Sequence, residues 1–117
     1  MVTLNLGGEK RPFQITFRTI ALMQAETKHT FASMGNLSAS DMESLIYHGL
    51  RSGYRAQNEG LYPKWERKAL QNWLDTADGF KAMRDAQKEF ENALQVMNEG
   101  AEDAQPAGNG TGGAAPN

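Results

Sequence analysis

Two histidines, five serines and a glycine pair are the residues of this sequence from which chemistry could start. His29 and His48 would serve as metal ligands or as a general base, but neither has a second histidine or a carboxylate at i+3 or i+4. They read as ordinary surface or capping histidines. None of Ser33, Ser38, Ser40, Ser44 and Ser52 stands in a G-x-S-x-G nucleophile elbow, so a serine triad has no starting point. Gly7-Gly8 lacks the G-K-[ST] or G-x-G-x-x-G context of a phosphate loop and is flanked by strand-like residues on both sides. There is no cysteine, which removes disulfides, cysteine zinc sites and thiol catalysis. The expectation is a protein that is not an enzyme and uses no cofactor and no metal.

Two features exceed an ordinary core. Met23, Met34, Met42, Met83 and Met97 all stand beside apolar stretches, and methionine is over-used on surfaces that adapt to varied apolar partners. Trp65 and Trp73 fall eight residues apart, close to one helical face, as core or as interface anchors. Both features are also compatible with plain packing.

The elements that must hold these residues follow from periodicity. Val2–Leu6 and Phe13–Phe17 alternate apolar and polar residues, predicting two half-buried strands with Gly7-Gly8-Glu9-Lys10 between them. A type II′ turn centred on Gly8-Glu9 would set Leu4 opposite Phe13, whereas a turn on Gly7-Gly8 would set Leu4 opposite Arg11; the first is preferred. Pro12 cannot donate to a ladder, so that side of its strand should stay unpaired or pairing should begin after it. The hairpin is too small to stand alone and should lie on helices or join a partner's sheet.

A first helix is expected over residues 16–27, followed by a connector in which Phe31 and Met34 fold back onto the core. The strongest helix signal lies at residues 40–55. Ser40 with Glu43, or Ser38 with Asp41, forms a capping box. Met42, Leu45, Ile46, Gly49, Leu50 and Gly53 then make one stripe. Gly49 in mid-stripe should admit another backbone. Pro63 suits the first position of a third helix ending near Asp75. Asp78-Gly79 should cap a fourth, with Phe80, Met83, Phe90, Leu94 and Met97 as its buried face. The fold class is mainly α with a small N-terminal β-hairpin, about four helices packing around the one at residues 40–55. The single domain covers 1–98, and 99–117 should be a flexible, disordered Gly/Ala/Pro/Asn-rich tail.

The chain has 117 residues and a net charge of −2. Three acids and no base lie in 99–117, so residues 1–98 carry +1. Basic residues are scattered among acids and not gathered on one face, which argues against a nucleic-acid partner. No apolar run is long enough for a membrane span and the N-terminus is unlike a leader, so a cytoplasmic protein with no membrane partner is expected.

The order Val2 to Leu6, Gly7-Gly8-Glu9, Arg11-Pro12-Phe13, a short helix, then Leu37-Ser38-Ala39-Ser40-Asp41-Met42 opening a helix through Leu45, Ile46, Tyr47, Gly49 and Leu50 resembles the tail assembly chaperones of long-tailed bacteriophages. It is also similar to the version carried by gene transfer agents. The resemblance covers residues 2–53. It implies a small, mostly helical protein of the host cytoplasm, absent from the mature virion. Such a protein binds hydrophobic segments of the tape measure protein and promotes assembly of the tail tube. It also implies tail tube protein as a second partner, reached in relatives through a frameshifted longer product, and a homo-oligomer is compatible with it. The competing reading is a structural virion component, a head-to-tail connector or minor tail protein. Partner contact is expected at Met42, Tyr47, His48, Tyr54 and Trp65. On that view Tyr47→Ala would weaken binding with little loss of melting temperature.

Overall fold

Gly7 and Gly8 alone join the two N-terminal strands, β1 (Val2–Leu6) and β2 (Glu9–Phe13), in an antiparallel hairpin. The computed structural model describes the backbone of residues 1–30 and 33–104 and the side chains up to residue 97. The register is Val2 to Phe13, Leu4 to Arg11 and Leu6 to Glu9. This corrects the expected turn on Gly8-Glu9. Both glycines have positive φ, 62° and 78°, as a type I′ turn requires, and the twist of that turn matches the strands. Arg11 does not waste the position opposite Leu4. Its Nε donates to the Leu6 carbonyl at 2.8 Å and its guanidinium lies 4.0 Å from the centre of the Trp73 ring.

Pro12 stands opposite Thr3, three rungs from the turn, where an antiparallel ladder directs the backbone nitrogen away from the partner strand. No ladder bond is lost there. Strand β2 covers Glu9–Phe13, so the strand expected over residues 13–17 is displaced and shares only Phe13 with it. Thr16 forms a capping box with Thr19 instead and opens α1 (Phe17–Thr27). That local exchange of hydrogen bonds outcompetes a longer strand, and it leaves Phe17 76% exposed.

Helix α2 (Ala39–Gln57) is capped by Ser38 with Asp41, the second of the two possible registers. All six stripe residues are buried, together with Ser44. Gly49 and Gly53 are where the hairpin docks. A Cβ on Gly49 would overlap the Phe13 ring, and one on Gly53 would overlap the Pro12 carbonyl. Gln14 N–H donates to the Gly49 carbonyl at 3.1 Å. The hairpin thus rests on α2 through two missing side chains.

Helix α3 (Arg67–Leu74) begins four residues after Pro63, correcting the expected start. Residues 63–66 are outside any helix, with Glu66 as an extended N-cap. Pro63 is buried and Trp65 half-buried, on alternate residues. Helix α4 (Ala77–Ala104) is capped by Thr76, whose Oγ1 accepts from Gly79 N–H at 3.0 Å, and not by Asp78. Its inner line is Gly79, Ala82, Ala86 and Phe90, with Met83, Leu94 and Met97 beside it. Phe80, expected on that face, is 71% exposed. Small residues win the inner line because the helix must lie close to β1 and α3; a Cβ on Gly79 would overlap the Leu74 carbonyl.

The result is an α+β fold of four helices and one hairpin among the described residues. One core joins Leu4, Leu6 and Phe13 of the hairpin to Ile20, Met23, Met34, Leu45, Ile46, Leu50, Leu70 and Phe90. Met34 folds back as expected, whereas the same expectation for Phe31 lies outside the described residues. Helix α4 runs past the expected domain limit at residue 98. The tail expected beyond it, from residue 105 on, lies outside the described residues.

Candidate functional site

The chemistry-bearing side chains are mostly spent on joining helices. Asp41 Oδ2 accepts from Ser38 N–H at 2.8 Å and meets His29 Nε2 at 2.7 Å, while His29 Nδ1 meets Ser33 Oγ at 2.8 Å. The Ser38 backbone amide, and next the His29 ring, hold the Asp41 carboxyl below its usual range. His29 therefore ties the connector to the start of α2. Arg67 does similar work between three helices. It donates to both Glu26 oxygens at 2.8 and 2.6 Å and through Nε to Glu43 at 3.0 Å. Glu43 serves this clamp rather than the helix start. The bidentate guanidinium brings the Glu26 carboxyl down to about 2.

His48 sits beside the clamp with its Nε2 buried, 3.6 Å from Glu26 Oε2 and without a hydrogen-bond partner. Burial pushes its pKa down; Glu26 opposes that shift, and Arg67 and Arg51 add to it. It is a neutral packing residue at pH 7. No group of three or more His, Asp or Glu among the described residues could hold a metal ion, and no described helix is long and apolar enough to cross a membrane.

The five residues expected to touch a partner do not form one site. Met42 is 6% exposed and lines a cleft of about 250 Å³ with Met34, Leu37, Phe90 and Leu94. Tyr54 and Trp65 line a second, of about 170 Å³, against Arg11 and Pro12. Tyr47 and His48 line a third, of about 290 Å³, between α1 and α2. Tyr47 links the second and third places through its ring, 6.0 Å edge-on from Trp65, which in turn lies 5.5 Å from Trp73.

The large groove contains residues that linear reading passed over. Arg18, Thr19 and Leu22 form one wall, Tyr47, His48, Arg51, Ser52 and Arg55 the other, and Tyr62 also lines it. Arg18 of α1 and Arg51 and Arg55 of α2, far apart in sequence, are thus brought together on one face, correcting the expectation of scatter. The available signal was the i, i+4, i+8 spacing of Tyr47, Arg51 and Arg55. Arg18 comes from a different helix and carries no such signal. The Tyr62 ring holds the guanidinium groups of Arg51 at 4.6 Å and Arg55 at 4.2 Å. Arg51 also donates to Tyr47 Oη at 3.0 Å, and Arg55 Nε donates to the Gly60 carbonyl at 2.9 Å.

No protein-family model, no curated protein and no solved structure matches the chain.

Proposed function

We propose that this protein is a phage tail assembly chaperone, a non-catalytic binder of apolar segments of the tape measure protein. The reading rests on the resemblance of residues 2–53. The one structural observation that supports it is the open α1–α2 groove, where Leu22 and Tyr62 stay 40% and 52% exposed. Phe17 and Leu61, the neighbours of groove residues in sequence, are 76% and 65% exposed. A helix with an apolar face can be covered in such a groove and kept from aggregating. Tail tube protein would follow as the second partner, with assembly in the host cytoplasm.

Coexpression with apolar fragments of the tape measure protein from the same phage tests this. The fragments should move to the soluble fraction and copurify with the chain; if they stay insoluble and unbound, the reading is wrong. Mass spectrometry of purified particles should lack the chain. Its presence there at stoichiometric level would favour a structural virion component.

A further inference from the structure

We infer that the α1–α2 groove reads carboxylates, and that its occupant is an amphipathic helix carrying acids four residues apart beside an apolar row. The inference takes its partner class from the chaperone reading and adds the site and the charge rule. Among the described residues no carboxylate pairs with Arg18, Arg51 or Arg55, whereas Glu26 and Glu43 are held by Arg67. Three cations face a groove with an apolar body, Leu22 and the tyrosine rings. That combination fits an acidic, apolar ligand.

The geometry narrows the choice further. Arg51 and Arg55 are one turn apart on α2, about 6 Å along the axis, which is also the spacing of two glutamates at i and i+4 on a partner helix. Their stacking on Tyr62 and their bonds to Tyr47 Oη and the Gly60 carbonyl hold the guanidinium groups in place before binding. Less side-chain entropy is then lost when a carboxylate arrives. A nucleic acid fits less well. The exposed ring in the groove, Tyr62, already carries two guanidinium groups instead of offering a face to a base, and three arginines are few for tracking a phosphate backbone.

The test uses the full chain and a fluorescein-labelled helical peptide of about 18 residues, built from Leu and Ala with Glu pairs four apart. A second peptide has Lys at those positions, and a third probe is single-stranded DNA of about the same negative charge. Anisotropy should give binding of the acidic peptide that weakens as NaCl rises from about 50 to about 300 mM. The lysine peptide should bind at least about tenfold more weakly. Arg18 makes no side-chain hydrogen bond or ion pair among the described residues, so Arg18→Glu should leave the melting temperature unchanged while costing the acidic peptide about tenfold in affinity; Arg51→Gln should act in the same direction. Equal binding of the two peptides, or an Arg18→Glu variant that binds as before, overturns the inference. DNA binding tighter than the acidic peptide and lost in Arg18→Glu overturns the peptide class. If tape measure fragments are solubilised without any effect of Arg18→Glu, only the groove rule fails; if the groove discriminates peptides but no fragment binds, only the chaperone reading fails.

Discussion

Gly53 concentrates the residue-scale physics of this protein. A methyl group there would overlap the Pro12 carbonyl, so Gly53→Ala should destabilise by about 2 kcal/mol although alanine is the better helix former. Gly35→Ala, in a turn with open space around it, should be close to neutral; denaturant titration of the two variants separates a crowded glycine from an open one. Tyr47 also changes meaning. Its ring is half-buried, edge-on to Trp65 and under the guanidinium of Arg67 at 4.6 Å. Tyr47→Ala is therefore expected to cost about 2 kcal/mol, so a loss of binding in that variant would not isolate contact from folding. His48 gives a pH signature. Its folded pKa lies below the ordinary 6.5, so the unfolded chain takes up the proton first. Stability is full above that value and is lost as pH falls from there through the lower folded value. His48→Gln should flatten the decline in melting temperature between about pH 7 and pH 5.

At the scale of elements, the helices are joined by one charged clamp as well as by apolar faces. Arg67 of α3 holds Glu26 of α1 and Glu43 of α2. Because the folded Glu26 pKa, about 2, lies below its ordinary 4.5, the clamp contributes fully above pH 4.5. Its contribution is lost as pH falls from there toward 2. Glu26 is 40% exposed, so solvent screening keeps the contribution modest, on the order of 1 kcal/mol. Arg67→Gln should lower stability at pH 7 and lose less on going to pH 3 than the parent does, as thermal melts at the two pH values would record. The periodicity of α2 was legible because one helix face is buried along its whole length. The inner line of α4 was not, since alanine and glycine carry little hydropathy signal. They are selected there by the distance to β1 and α3, a quantity absent from the helix's own sequence.

For the whole molecule, the hairpin is part of the core. Leu4, Leu6 and Phe13 share one cluster with residues of all four helices, so separate melting of a β unit and an α unit is not expected. Tryptophan fluorescence, reporting Trp65 and Trp73, and far-ultraviolet circular dichroism should give coincident denaturant transitions; a hairpin or helix that melts first would refute a single cooperative unit. The existence of the hairpin, the burial of the Met42-to-Gly53 stripe and the Ser38–Asp41 start of α2 were legible in the chain alone, because alternation, helical period and capping are set by residues a few positions apart. The choice of Gly7-Gly8 as the turn was not. Two glycines suit a type I′ turn, but the register it sets puts Arg11 opposite Leu4, and only the fold shows Arg11 placed there over Trp73. Nor was the gathering of Arg18 with Arg51 and Arg55, since α1 and α2 share a groove only after the core has packed. Short-range order is written in spacing, whereas the meeting of distant side chains is decided by which faces must leave water together.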